Sequence, residues 1–213
     1  MTSPVTHTTT ARIAGLLLAA GGGRRLGGRP KALLEHDGAL LVERAAGTLR
    51  AGGCARVHVV LGASADRVRR RARLPDCVLV DNPDWERGMG SSLRAGLASL
   101  EGTGARAALV MLVDQPGIGE EAVRRVAEAG LARGPDRLPA ALVSAAYAGV
   151  RGHPVLFGAA HWPGITARAE GDQGARGYLG SRQAEITLVE CADVADPYDV
   201  DTPSDLARLR PGR

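Results

Sequence analysis

Short apolar runs recur along this chain, and between them lie stretches whose apolar residues are spaced for one face of a helix. Residues 12–19, 57–61, 77–81, 107–113, 141–145, 154–157 and 186–189 are predicted strands. The first and fourth are apolar almost throughout, as strands covered on both faces are. Residues 40–51, 65–73, 91–100, 120–133 and 203–209 are predicted helices. Gly52-Gly53 ends the first as a C-cap would, and Ser64 stands where its side chain could cap the second. The alternation predicts an α/β fold: a single domain with a doubly wound, mostly parallel, Rossmann-like sheet and helices on both faces. The domain is expected over residues 12–210, behind a disordered tail at residues 1–11. Residues 133–139 read as a loop, because the same alternation resumes beyond them.

Sheets of this kind bind ligands beyond the carboxyl ends of their strands, so the residues that follow each strand are the candidates. The first strand empties into a loop, LLLAAGGGRRLGGRPK over residues 16–31, with five glycines, three arginines and one lysine. Glycine lets a backbone fold tightly and bring its N–H groups close to an anion. Arg24, Arg25, Arg29 and Lys31 add positive charge. A phosphate-binding loop is predicted, with Leu18, Ala19, Ala20, Gly21, Gly22 and Gly27 against a nucleotide. It is neither a P-loop nor a dinucleotide fingerprint. Lys31 lies between Pro30 and Ala32, and Gly21, Gly23 and Leu26 miss the GxGxxG spacing.

Asp114-Gln115-Pro116 follows the apolar strand ALVMLV. A carboxylate there could hold a cation over the crevice, or simply cap the next helix. In Asp199-Val200-Asp201-Thr202-Pro203, Thr202 and Pro203 suit a helix start, which leaves two acids two residues apart unexplained. Gly88-Met89-Gly90-Ser91-Ser92 runs into a helix whose free N–H groups and hydroxyls suit an anion, or form an ordinary cap. Arg151-Gly152-His153 lies just before a predicted strand. Asp172 and Arg176 flank a glycine-containing loop and could pair with each other.

Composition narrows the class. The chain has 213 residues, 45% hydrophobic, enough for one sizeable core. A net charge of +4 suits a small anionic substrate. Scattered arginines and 3% aromatic content argue against nucleic acid. Cys54, Cys77 and Cys191 have no zinc-ligand spacing and read as structural thiols of a cytoplasmic protein. No apolar run approaches the roughly 20 residues of a membrane span, and the N-terminus does not read as a signal peptide.

These islands also carry a resemblance. Leu18-Ala19-Ala20-Gly21, Arg25-Leu26-Gly27 and Lys31 resemble the LAAGxxxRMGxxK loop of the molybdenum cofactor nucleotidyltransferases, whose fold is of the nucleotide-diphospho-sugar transferase type. NPDWERGMGSSL, DQP, RGHPVLF, GDQGAR and DVDTPSDL match that family's strings in the same order, and together they resemble its cytidylyltransferase branch. The resemblance implies that NMP moves from an NTP to the terminal phosphate of an acceptor, with pyrophosphate released. It implies Mg²⁺ on Asp114 and Asp201, and catalysis by Lys31 and Arg25. Gly88, Met89, Ser91 and Ser92 would lie against the nucleotide, and Arg151, Gly152, His153, Asp172 and Arg176 against the acceptor. Molybdopterin is the implied acceptor, and a molybdoenzyme a possible recipient of the product. Ala20 and Pro30 lean towards CTP, while the doubled Gly27-Gly28 keeps GTP open. Phospholactate or a sugar phosphate as acceptor, or a nucleotide- or cofactor-binding chaperone without turnover, are the alternatives.

Overall fold

A computed structural model describes residues 13–209. The expected tail at residues 1–11 lies outside them. Nine strands and six α-helices follow in order: β1 (Ile13–Leu18), β2 (Glu35–His36), β3 (Ala39–Leu40), α1 (Leu41–Ala51), β4 (Val57–Leu61), α2 (Ala65–Arg71), β5 (Cys77–Asp81), α3 (Met89–Ala98), β6 (Ala107–Leu112), α4 (Glu120–Leu131), β7 (Leu142–Tyr147), β8 (Val150–Gly158), α5 (Trp162–Arg168), α6 (Arg176–Gly180) and β9 (Ile186–Glu190). The central sheet has seven strands in the order β5-β4-β1-β6-β8-β7-β9. It is parallel except at β8, which runs against both β6 and β7. The mostly parallel, doubly wound expectation holds. β2 and β3 form a separate small hairpin.

Burial follows from the two-residue period of the strands. On β1, Ile13 and Leu17 face the layer of α1, α2 and α4, where Leu41, Leu49, Val68, Val123 and Val126 lie. Leu16 and Leu18 face the other layer, with Leu93 and Leu97 of α3 and Ile165 of α5.

The register sets where chemistry can occur. Leu18 pairs with Val60 of β4 and with Leu112 of β6, so the carboxyl ends of these three strands finish together. β8 is reversed: Val155 pairs with Val110, and the start of β8 therefore arrives at this same edge. Arg151, Gly152 and His153 were expected before a strand and lie within β8 instead. The cause is the turn Ala148–Gly149, with positive φ at both residues (51° and 79°), which closes β7 onto β8 as a tight hairpin. The β7–β8 register then steps from Ala145↔Gly152 to Ser144↔Val155, leaving His153 and Pro154 outside the ladder as a bulge.

Other differences are local. Ser64 adopts a left-handed conformation and its side chain makes no cap bond. The helix predicted at 203–209 is a 3₁₀ turn, Asp205–Leu209. The loop at 133–139 carries a 3₁₀ turn, Pro135–Ala140. α5 and α6, of seven and five residues, are too short for periodicity to reveal them.

Candidate active site

The glycine-rich loop leaves β1 at Leu18 and is built around Gly23. Gly23 has φ of 62°, and a Cβ there would lie 1.8 Å from the carbonyl oxygen of Arg29. Its own carbonyl accepts from the N–H of Leu26 and of Gly28 (2.8 and 3.0 Å). Leu26 is buried and pins the loop to the body. The chain then turns at Pro30 into the short 3₁₀ turn Lys31–Leu33.

Lys31 is directed inward. Its ammonium donates to Asp114 Oδ2 at 2.6 Å and also to Asp201 Oδ1. Asp114 comes from the end of β6 and Asp201 from the segment before the last 3₁₀ turn, so residues far apart in sequence meet on one cation. Burial alone would lower the lysine's pKa. The two carboxylates outweigh it and hold the pKa above the ordinary 10.5, so Lys31 stays charged. Arg25 is exposed, with its guanidinium 3.4 Å from Asp201 Oδ2.

Asp205 presents Asp201. Its Oδ2 accepts from the N–H of Asp201 (3.0 Å), the N–H of Thr202 (2.7 Å) and the hydroxyl of Thr202 (2.8 Å). Those bonds lower its pKa. Thr202, expected to cap the following turn, instead donates its N–H and hydroxyl to Asp205. Asp199, the other acid of the pair, accepts at 2.8 Å from Gln115 Nε2. Burial first, then the charge of Asp114, raises its pKa, and the bond from Gln115 opposes the rise.

Two cavities share this edge. The first, about 370 Å³, is walled by Leu18, Ala20, Gly21, Gly22, Arg24, Lys31, Gly88, Met89, Ser92 and Asp114. Trp85 closes one side, against Gly22 and Gly62. The second, about 460 Å³, is lined by Arg151, Gly152, His153, Arg176 and Gln115, over Leu93, Val110, Val155 and Phe157. Leu18 and Met89 belong to both walls, so the cavities are neighbours. In the second, burial lowers the pKa of His153 to about 4, with the charge of Asp114 opposing and that of Arg176 assisting. His153 is neutral at pH 7, and the arginines carry the charge.

The expected residues are placed unevenly: Ser92 and Asp172 line the first cavity, while Ala19, Arg25, Gly27 and Ser91 line neither. Ala19 is in the core with its N–H on Val60, and Gly27 is exposed on the outer turn of the loop. Ser91 spends its hydroxyl on the carbonyls of Asp84 and Gly88, and both Ser91 and Ser92 accept from buried Asn82. Arg25 faces Asp201 rather than the cavity wall. Asp172, expected with the acceptor, lines the first cavity, and among the described residues no ion pair joins it to Arg176. Gly88, just before α3, and Gly90, in its first turn, explain its place. A Cβ on Gly88 would meet Gly171 and Asp172 at 2.5–2.6 Å, and one on Gly90 would meet the backbone of Ala169 and Glu170 at 2.7 Å. These glycines let the 169–172 segment close onto α3.

Trp85, Arg87 and Gln115 stand in the sequence only as members of longer motifs, and Arg24 only as one of the charges of the loop; none of the four is assigned a site role of its own from the sequence. Trp85 carried a signal, as one of two tryptophans in the chain and part of a quoted string.

Residues 15–186 match the family model described as the MobA-like NTP transferase domain. A relative named nicotine blue oxidoreductase, from Paenarthrobacter nicotinovorans, is 41% identical over 92% of this chain and 96% of its own length. A molybdenum cofactor guanylyltransferase from Rhodobacter capsulatus is 31% identical over 92% of this chain and 94% of its own. The crystal structure of Rv0371C from Mycobacterium tuberculosis in complex with manganese superposes with a TM-score of 0.74. It is 29% identical, and the match covers 93% of this chain and 97% of that one.

Proposed function

This chain belongs to the MobA-like NTP transferase family, and from that premise we propose that it transfers CMP from CTP to the terminal phosphate of molybdopterin, releasing pyrophosphate. The observation that carries the reading is Lys31 held between Asp114 and Asp201 at the edge of a glycine-lined cavity. An oxygen of the acceptor phosphate attacks the α-phosphorus. A new P–O–P linkage forms, the α–β bond breaks, and the electron pair leaves with pyrophosphate. Both reactants are anions, so the site must neutralise charge.

The donor set fits a divalent ion. Among the described residues no three His, Cys, Asp or Glu side chains gather into a self-sufficient site. A nucleotide-bound Mg²⁺ usually takes one or two carboxylates and completes its shell with phosphates and water. Asp114 and Asp201 are two oxygen donors already gathered around one positive charge. Bound there, the ion supplies Lewis-acid charge neutralisation. Lys31, whose pKa burial alone would lower but Asp114 and Asp201 hold raised, stabilises charge on the departing pyrophosphate rather than acting as a base. The backbone at Gly21 and Gly22 lets phosphates approach closely. Arg151 and Arg176 attract the anionic acceptor, and neutral His153 offers it a hydrogen bond. Ala20, in the cavity wall, and Pro30 support CTP. The receiving molybdoenzyme would be met in the cytoplasm, a setting that suits the unpaired cysteines. No helix among the described residues is long and apolar enough to cross a membrane.

Two observations favour other readings. The guanylyltransferase relative favours GTP. The 41% identity with nicotine blue oxidoreductase favours a redox enzyme using the same crevice. One set of incubations separates them. The protein is given Mg²⁺, molybdopterin and each NTP in turn, and the products are weighed by mass spectrometry. A CMP adduct and pyrophosphate are expected with CTP. A GMP adduct reassigns the base, and no adduct with any NTP overturns nucleotidyl transfer. Nicotine blue with a reduced nicotinamide dinucleotide is the redox arm, where no turnover is expected.

A further inference from the structure

Asn82 directly follows β5 and is buried at 4% exposure. Its backbone N–H donates to the carbonyl of Leu61 at 2.8 Å, which fixes it beside the carboxyl end of β4. Its side-chain amide is bonded to the segment that follows. Nδ2 donates to Ser91 Oγ at 2.9 Å and to Ser92 Oγ at 3.0 Å, and Oδ1 accepts from the N–H of Asp84 at 3.0 Å. A backbone N–H only donates, so Asp84 fixes which way the amide faces. Ser91 Oγ in turn lies within hydrogen-bond reach of the carbonyls of Asp84 and Gly88, at 2.9 and 2.8 Å. One buried amide therefore ties the end of β5 to the 3₁₀ turn Trp85–Arg87 and to the first turn of α3.

Those two turns carry one wall of the first cavity, with Trp85, Arg87, Gly88, Met89 and Ser92. The bonds inside the 3₁₀ turn, from Arg87 N–H to Asp84 and from Gly88 N–H to Trp85, shape it without attaching it to the body. Its other support is the indole. A Cβ on Gly62 would lie 2.4 Å from Cβ of Trp85, and one on Gly22 would lie 3.0 Å from its Cζ3. Trp85 therefore presses on the glycine-rich loop, and Asn82 holds the turn that presents it. Asn82 and Ser91 themselves line neither cavity. An apolar side chain would fill the place of Asn82 with no amide to desolvate. What the amide adds is a defined position for the turn.

We propose that Asn82 is a positioning residue for the nucleotide: through Asp84, Ser91 and Ser92 it holds the Trp85–Met89 wall in the shape that the nucleotide fills. This rests on the reading of the first cavity as the nucleotide's. Without the amide, two hydroxyls and one N–H lose a partner and the wall shifts among positions. Binding must then order it again, so affinity falls. Among the described residues the cluster of Lys31, Asp114 and Asp201 shares no hydrogen bond with this network, so the chemical step is spared.

The test is calorimetric titration of the full chain with CTP and, in parallel, GTP, with Mg²⁺ and below the melting temperature of every variant. N82A is expected to bind the preferred nucleotide about tenfold more weakly, the ratio that one hydrogen bond of ordinary net strength supplies. Its KM for that nucleotide should rise by a similar factor, with kcat and the acceptor KM within about twofold of the wild type. S91A removes a partner and leaves the amide, and it carries the test where N82A does not fold. It is expected to weaken binding about threefold, and the double variant to bind no more weakly than N82A. S99A controls for stability alone. It removes the bond between Ser99 Oγ and Nδ1 of buried His58 (2.8 Å), on residues that line neither cavity, and should lower melting without changing affinity. Nucleotide affinity like the wild type's in N82A or S91A, or an equal loss in S99A, overturns the proposal. A wild type that binds neither nucleotide overturns the reading of the first cavity, and the proposal with it.

Discussion

Lys31 has three relations to its neighbours that fix its work: it is partly buried, it is bonded to Asp114 and Asp201, and its pKa is raised. Lys31→Ala is expected to slow transfer by on the order of 10²–10³ while nucleotide affinity changes little, because a preorganised charge acts mainly on the transition state. Single-turnover rates set beside equilibrium binding measure this, and a variant with wild-type turnover removes Lys31 from the chemistry. His153 gives a pH prediction. Its pKa is about 4 in the fold, against about 6.5 unfolded. Between those values the unfolded chain holds the extra proton. Stability is therefore full above pH 6.5 and is lost as pH falls towards 4, by at most about 1.4 kcal/mol per pH unit. His153→Gln should flatten that part of the profile in urea titrations at stepped pH; an unaltered slope would assign the loss to other groups. Lys31, Asp114 and Asp201 could be read from the sequence because each stands in a recognisable string: the glycine-rich loop, DQP and DVDTP. Asp205 and Gln115 could not, since their roles depend on which backbone or side chain they meet across the fold.

Among the elements, glycines decide how closely loops approach. Gly90→Ala would drive a Cβ into the backbone of Ala169 and Glu170. We expect a loss of about 1–3 kcal/mol, seen as a melting temperature several degrees lower. Unchanged melting would mean that the 169–172 segment gives way freely. Gly23→Ala meets both a left-handed φ and the carbonyl of Arg29. It should raise the KM for the nucleotide several-fold with little effect on melting, because the damage falls on an exposed loop. A wild-type KM would show that the loop reforms around the new side chain. The strands at the centre of the sheet were legible because both their faces are apolar. The full extent of β8 was not. Its first residues, Val150 and Arg151, are exposed, and they are strand only because the turn at Ala148–Gly149 pairs them with β7.

For the molecule as a whole, the parallel half of the sheet supplies the glycine-rich loop and Asp114, and the reversed β8 delivers the second cavity beside them. The fold class and helices on both faces followed from alternation and length. The neighbouring cavities did not, because their joint walls come from segments separated by most of the chain. Ala20 and Pro30 lead us to expect CTP to outcompete GTP when both are present in one pyrophosphate-release assay; the reverse order would reassign the base and leave the Lys31 site intact. The central claim is that Asp114 and Asp201 serve one site. The direct measurement is Mg²⁺-dependent pyrophosphate release, with CTP and molybdopterin, by the wild type, Asp114→Asn, Asp201→Asn and the double variant. Each single variant should stay folded and lose most of its turnover, and the double should lose little more, because groups acting on one ion are not additive. Losses that multiply in the double variant, or single variants that turn over like the wild type, would contradict the account.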